Sequence, residues 1–245
     1  MTGFWVLVQK ELLEQRRTKK FLALALVFTF LAVVPPTIFR TVVHFQEGAH
    51  GVEQAREALE NIIGGMMPVF GTGVVIIIAM GALANERASG TAAMTLSKPV
   101  ARSAFVAAKL LALGASIFGA VAVGGAVVYI LTLILFADGG VGRFALGLLI
   151  TSTYLWYVGA ITLLISAQFS QQLLVGGIVL ALFMVQLFLL PIPHTERYWP
   201  IMSPGWARSI FRGDGNDLWS AFAIAAGSIP LMGMAAWGIF RRKEL

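Results

Sequence analysis

The sequence predicts an all-α membrane protein: one domain over residues 1–245, with six transmembrane helices preceded by an amphipathic interfacial elbow helix. Of its 245 residues, 58% are hydrophobic and 12% are charged, and the mean hydropathy is +0.83. Soluble domains carry about 25% charged residues, and disordered chains are rich in charge and poor in apolar residues. The composition therefore excludes both classes.

Six charge-poor runs support this fold class, because a helix that crosses a bilayer needs roughly 20 predominantly apolar residues. The runs are Phe21–Phe39, Ile62–Ala84, Leu110–Ala137, Phe144–Ala167, Leu173–Ile192 and Leu218–Phe240. They are too continuous for the alternating strands of an outer-membrane barrel. The third run exceeds the thickness of a bilayer, which predicts tilt or extension beyond the membrane.

The elbow helix is predicted over residues 1–20. Apolar residues recur there at helical spacing, and Glu11 alone interrupts the apolar face. The residues of that face are Phe4, Leu7, Val8, Glu11 and Leu12. Lys10, Arg16 and Arg17 belong to a polar and mostly basic face, a pattern typical of a helix lying in the membrane interface. The simpler alternative is a basic anchor before the first span.

The distribution of charge predicts the orientation. With six spans both termini lie on one side, and that side carries 12 of the 18 Lys and Arg but only four of the 12 Asp and Glu. Its net charge is +8, against −2 on the other side. The positive-inside rule then places both termini in the cytoplasm.

The outer connections differ in length and composition. Arg40–Asn61 is acidic and is expected to be partly helical over Val52–Leu59, while Asp138–Arg143 is expected to form a tight turn. Residues 193–217 form the longest outer loop, whose tryptophans and prolines predict short interfacial or re-entrant helices. Pro35–Pro36 and Pro230 are expected to bend the first and last spans.

Several kinds of chemistry are missing from the sequence. It has no cysteine, no phosphate-binding G-x-x-x-x-G-K-[ST] motif and no H-E-x-x-H motif. No Asp, Glu, Lys or Arg lies in the middle of a predicted span, which argues against a proton- or sodium-driven carrier. We therefore expect no catalytic residue, no metal site and no nucleic-acid partner. Any energy for transport must come from another subunit.

The most informative connection is the cytoplasmic segment 85–103 between the second and third spans. Gly90 is a helix stop and Thr91 can cap a new short helix over Ala92–Leu96. Pro99 would end that helix, and Ser103 would cap the third span. A cytoplasmic partner protein could bind a short helix held between two spans. The alternative is a solvated loop.

Several motifs together resemble the second type of ABC export permeases. They are the E-x-x-x-G-T…L-S-K-P-V-x-R stretch at Glu86–Arg102, the V-x-x-x-K-E-L-x-E-x-x-R stretch at Val6–Arg17, the outer segment Met202–Ile210 and the closing Phe240–Leu245. In the outer segment Ser203 stands where the family often has asparagine. The resemblance covers the whole chain. It is nearest to the short branch that includes the permease of the nitrous-oxide-reductase maturation transporter.

The resemblance implies partners and a coupling site. Two permeases, this chain and a second copy or a related permease, would pair within membrane lipid. Two copies of a cytoplasmic ABC ATPase would bind ATP and Mg, so this chain would carry no cofactor. The implied ATPase contacts are Glu86, Arg87, Gly90, Thr91, Ser97, Lys98, Pro99 and Arg102. The second inner loop, 168–172, would add little. The implied location is a prokaryotic cell membrane.

Two sets of residues inside the spans are candidates for roles in packing or transport. Small residues recur at fourfold spacing in the third span, either for packing within one subunit or for a moving or dimer-facing surface; they are Ala112, Ser116, Ala120 and Gly124. Tyr154 and Tyr157 share a face of the fourth span, and Gln186 is a polar residue in the fifth. These three are candidates to line a substrate cavity, with hydrogen bonding between helices as the alternative.

The leading functional hypothesis is a non-catalytic permease that exports an amphipathic or hydrophobic substrate. The alternatives are a membrane-embedded enzyme, an immunity or structural membrane protein, and a permease that transmits force to an outer partner without moving a substrate. Glu86 is treated as a surface charge that bonds the ATPase. Its loss is therefore expected to leave folding intact, because surface charges contribute little to stability.

Overall fold

A computed structural model describes residues 2–43, 57, 60–88, 101–136, 141–189, 196–212 and 219–242, and these are helical or lie in short turns, with no strand among them. We number the α-helices in chain order. They are α1 (Thr2–Arg17), α2 (Lys20–Val43), α3 (Met67–Ala79), α4 (Ala84–Ala88), α5 (Arg102–Phe136), α6 (Val141–Gln168), α7 (Gln172–Leu189), α8 (Ser203–Arg212) and α9 (Trp219–Arg242).

Within the described residues, every predicted apolar run falls on helix, except for a turn at 80–83 in the second run. Among the residues that the structure describes, four stretches are long and apolar enough to cross a membrane: Ile62–Glu86, Arg102–Leu131, Val141–Gln168 and Trp219–Arg242. The other two runs fall on shorter apolar helical segments, Lys20–Val33 and Gln172–Gln186, within the described residues. The all-helical, multi-pass class is confirmed, and the count of six spans stays a prediction.

The core is built around α5 and α6. With 35 residues, α5 is about 52 Å long at 1.5 Å per residue, well beyond a hydrocarbon core of about 30 Å. The helix is thus longer than a bilayer requires, as predicted, and the choice between tilt and extension beyond the membrane stays a prediction. Helix α2 packs along α5, while α6 packs against α3, α5, α8 and α9 and is buried over most of its second half.

The small residues of α5 pack inside the subunit. Ala112, Ser116 and Ala120 are buried. A Cβ added at Gly124 would lie 2.6 Å from Phe28 Cβ and 3.0 Å from the Phe28 carbonyl carbon on α2. The backbones of α2 and α5 are thus as close as glycine allows. Of the two interpretations of this pattern, the structure supports packing within one subunit.

Gly124→Ala is expected to destabilise the protein by about 1–3 kcal/mol, since the added methyl group overpacks a contact with backbone. Gly177→Ala on α7 is the matched control, because a Cβ there meets nothing within 4 Å. Thermal unfolding in lipid, followed by tryptophan fluorescence, measures both variants. Equal midpoints would contradict close contact between α2 and α5.

The second predicted span is not a uniform helix. It opens with a π-helical turn, Ile62–Met66, where a Cβ at Gly64 or Gly65 would overlap the side chain of Arg208 on α8. Thr151 Oγ1 donates to the Ile63 carbonyl at 2.9 Å. At its other end α3 stops at Ala79, and after a turn α4 begins at Ala84. The π-helical turn is therefore packed closely against α6 and α8.

Four predicted boundaries were wrong. Helix α2 runs to Val43, because no helix-breaking residue follows the expected end at Phe39 before that point. Helix α6 begins at Val141, directly after a Gly–Gly pair, so the last residues of the expected turn are helical. Ser103 lies inside the first turn of α5, because the Ala101 carbonyl already accepts the Phe105 amide at 3.2 Å. The second inner loop shortens to residues 169–171.

The long outer connection contains the predicted short helices. Two 3₁₀ turns, Glu196–Tyr198 and Pro200–Met202, lead into α8. Ser203 and Ala207 on α8 are buried, and Trp206 contacts Phe222 of α9 with ring centroids 5.4 Å apart. The helix expected over Val52–Leu59 falls almost entirely outside the described residues.

Candidate functional site

Three charged side chains from three helices meet at one end of the bundle. Lys109 Nζ on α5 lies 2.9 Å from Glu11 Oε2 on α1 and 2.7 Å from Glu86 Oε1 on α4. The side chains of Lys109, Glu11 and Glu86 are 5%, 7% and 14% exposed. We call these three residues the Lys109 cluster. Because an unpaired buried charge is strongly unfavourable, each member depends on the others.

Local sequence explains how two members reach this position. Glu11 shares a face of α1 with Leu7 and Val8, at the i, i+3 and i+4 spacing of a helix. Leu7 and Val8 pack with Ala108 of α5 in a small apolar cluster separate from the main core. Lys109 follows Ala108 directly, and its ammonium lies 5.1 Å from the centroid of the Phe105 ring. The apolar contact thus brings Glu11 to Lys109.

A second contact, between α6 and α4, positions Glu86. Ser166 Oγ accepts the backbone amides of Leu83 and Ala84, both at 3.0 Å. All three residues are fully buried. The first amides of a helix have no partner within the helix, so a serine on α6 caps α4. This cap fixes the helical turn that carries Glu86.

The Lys109 cluster borders a cavity of about 90 Å³. Its polar lining also includes Glu14, Gln15, Lys20 and Asn85. Carboxylate oxygens of Glu11, Glu14 and Glu86 approach within 4.8 Å of one another, as the oxygens of a cation site would. The Lys109 ammonium already provides the positive charge for two of them. We therefore describe an ion-pair cluster, and the expected absence of a metal stays a prediction.

The predicted coupling residues divide into three groups. Gly90, Thr91, Ser97, Lys98 and Pro99 lie outside the described residues, as does the predicted helix Ala92–Leu96. Arg87 is helical in α4, but its side chain is outside the described part. Glu86 and Arg102 lie on the helices that flank the loop.

The expectation that Glu86 is a surface charge was wrong. One of its oxygens bonds Lys109, and the side chain is largely buried. Glu11 was interpreted only as an interruption of the apolar face of α1, yet it is the second partner of Lys109. An acidic residue on an apolar face and a lysine at the start of an apolar run were the available signals. Only tertiary structure pairs residues 98 positions apart.

Arg102 ties the far end of the loop to α9. Its Nη1 donates to the backbone carbonyl of Arg241 at 3.1 Å, where α9 ends. Phe105 stacks on Phe240 with ring centroids 5.7 Å apart. A cation at a helix C-terminus is favourable because the last carbonyls are free and partially negative. Both ends of the loop are therefore bonded to other helices.

On α1, which the sequence predicts to be the elbow helix, Lys10, Arg16 and Arg17 are exposed while Glu11 is buried. The predicted amphipathic helix is present over Thr2–Arg17. Its location in a membrane interface stays a prediction.

The three residues predicted to line a substrate cavity lie close together, and their role in transport stays a prediction. Tyr154 and Tyr157 are each only 4% exposed, with ring centroids 6.5 Å apart. The Tyr154 hydroxyl lies 3.2 Å from Thr72 Oγ1 on α3, and the Tyr157 side chain interacts with that of Gln186 on α7. Gln186 Oε1 is shielded from solvent without a hydrogen-bond partner in the described part of the chain. This conformation favours hydrogen bonding between helices.

A comparison with protein-family models decides the class. The model described as "ABC-2 family transporter protein" matches residues 5–196, well over half of the chain. The chain belongs to the ABC-2 transporter family. No protein of curated function matches the chain significantly.

The Lys109 cluster lies within the part of the chain that matches the family. The matched region runs from α1 through α7 and includes all three residues of the cluster. Members of this family are typically non-catalytic membrane components, and membership implies association with an ABC ATPase. In this chain, the Lys109 cluster and the Arg102–Arg241 bond lie on either side of the segment that is predicted to contact the ATPase.

Proposed function

We propose that this chain is the transmembrane permease subunit of an ABC exporter. A separate cytoplasmic ATPase, present in two copies, hydrolyses ATP with Mg, and the permease pairs with a second copy of itself or a related permease. The substrate is amphipathic or hydrophobic. The observation that carries the proposal is the family match over residues 5–196.

The coupling site is proposed at the loop 89–101 and its flanking helices. The ATPase contacts are Glu86, Arg87, Gly90, Thr91, Ser97, Lys98, Pro99 and Arg102, and α1 is the elbow. The anchoring of the loop supports this choice, because Glu86 bonds α5 before it and Arg102 bonds the end of α9 after it. A force applied to the loop would reach α4, α5 and α9 directly.

A substrate path along Tyr154, Tyr157 and Gln186 is the accompanying proposal. Tyr154 and Tyr157 are enclosed in the described conformation and Gln186 is half-buried, so the path requires α6 and α7 to separate. The unpartnered Gln186 Oε1 supports a polar contact that forms only in another state. We also propose that the nearest relatives belong to the short branch of the family that includes the permease of the nitrous-oxide-reductase maturation transporter.

Co-purification with the partner ATPase tests the function. The two proteins are expected to form a complex in lipid nanodiscs, and hydrophobic or amphipathic compounds from a panel are expected to stimulate ATP hydrolysis. Failure to bind any ABC ATPase would contradict the proposal. Binding and hydrolysis without stimulation by any compound would instead favour a permease that transmits force and moves no substrate.

The proposed orientation, with both termini cytoplasmic in a prokaryotic cell membrane, predicts a labelling pattern. The chain has no cysteine, so single replacements report without background. Glu53→Cys and Asp214→Cys are expected to react with an impermeant thiol reagent added to intact cells, whereas Ser97→Cys is expected to react only after lysis. Labelling of Ser97→Cys from outside would reverse the orientation.

A further inference from the structure

We propose that Lys109 is a positioning residue for coupling: held between Glu11 and Glu86, it makes α1 move together with α4, the helix that leads into the loop 89–101. The inference rests on the proposed function, because the displacement it transmits is the one that the ATPase applies to that loop. None of the coupling contacts predicted from the sequence includes Lys109.

Helix α1 is held to α5 by a small apolar cluster and by one buried ion pair. The apolar cluster that holds α1 to α5 has a buried part of only Leu7, Val8 and Ala108. Three of the large apolar side chains of α1 are exposed, namely Trp5, Val6 and Leu13. Phe4, Leu12 and Ala104 pack against this cluster but are only partly buried. The buried Glu11–Lys109 bond adds a charged link to this apolar contact between α1 and α5.

The bond between Lys109 and Glu86 lies where the chain enters and leaves the loop 89–101. Glu86 lies in α4, the last described helix before the loop, and Lys109 lies in the second turn of α5, just after it. Their 2.7 Å bond closes the base of the loop. The same ammonium therefore joins the base of the loop to α1.

Both ion pairs of Lys109 are buried, and burial strengthens the link. Salt and water screen a buried pair much less than an exposed one, so the link keeps its strength beside the cytoplasm. Without the lysine, Glu11 would lose its ion-pair partner and Glu86 would lose its 2.7 Å bond, and both losses are unfavourable for buried carboxylates. The three side chains are therefore expected to keep together while the helices move. Since only Thr18 and Lys19 separate α1 from α2, movement of α1 would also reach the first span.

The first experiment needs no ATPase. Hydrogen–deuterium exchange is measured on the purified protein in lipid nanodiscs. Glu11→Gln is expected to raise exchange along α1 by about tenfold or more, because a bond to a charged group is lost. Glu14→Gln is the matched control: it lies on the same helix, lines the same cavity and forms no ion pair with Lys109 in the described structure. Wild-type protection of α1 in Glu11→Gln would overturn the proposal.

The second experiment tests transmission, which a purely structural role would not affect. Nitroxide labels are placed at the exposed positions Gln9→Cys on α1 and Gln171→Cys beside α7, in complex with the ATPase. Trapping ATP is expected to change their distance in the otherwise unaltered chain and with Glu14→Gln, but not with Glu11→Gln. An equal change in Glu11→Gln, or none in the unaltered chain, would contradict the proposal. Failure of the complex to form contradicts the proposed function instead, and the exchange experiment still decides whether Lys109 holds α1.

Discussion

Lys109→Met is expected to lower the free energy of unfolding by about 3–5 kcal/mol, because it leaves two buried carboxylates without their cation. Glu11 and Glu86 share that one ammonium, and their side chains are 7% and 14% exposed. The thermal midpoint in lipid is expected to fall by about 10 °C for a chain of this size. The six tryptophans provide the fluorescence signal.

Two comparisons make this prediction specific to the cluster. Lys20→Met removes a lysine that lines the same cavity but forms no ion pair in the described part of the chain, so the midpoint is expected to stay close to wild type. Combining Glu11→Met, Glu86→Met and Lys109→Met removes all three charges together. That variant is expected to recover most of the loss, since replacing a whole buried ion-pair group by apolar residues is often neutral. A triple variant no more stable than Lys109→Met would show that packing, and not charge, sets the effect.

Ser166→Ala is expected to have the next largest effect. The Leu83 and Ala84 amides both donate to Ser166 Oγ, and all three residues are fully buried. Each amide left without an acceptor is expected to cost about 1–3 kcal/mol. Because the cap holds the first turn of α4, exchange of the amides around residues 83–88 is expected to rise as well.

Ser152→Ala is the matched control on the same helix. Ser152 Oγ donates to the Leu148 carbonyl at 2.7 Å, four residues earlier. That carbonyl also accepts the helical amide of residue 152, so the alanine variant leaves no polar group unpaired. Its thermal midpoint and its exchange at residues 83–88 are expected to match wild type. A loss in Ser152→Ala as large as that in Ser166→Ala would contradict the capping role.

The helices could be predicted from the sequence because the signal is local. A run of apolar residues must bury or enter lipid wherever it lies, and α6 and α9 begin and end within a few residues of the predicted bounds. The fourfold spacing ending at Gly124 predicted close approach of two helices, but not which helix would approach. Phe28 is 96 positions away in the chain, and no local pattern contains that information.

By itself, the sequence determined that this chain is an all-helical membrane protein whose motifs resemble those of the ABC-2 family to which it belongs. Only the tertiary structure decided the charges, because pairing depends on distances between separate helices. Lys109 was counted only among the basic residues of the inner side, and Glu86 was expected to be a surface charge facing the ATPase, yet with Glu11 they form a buried cluster. The hydropathy of a charged residue does not tell whether water or an opposite charge stabilises it. That depends on which side chains the fold brings within bonding distance.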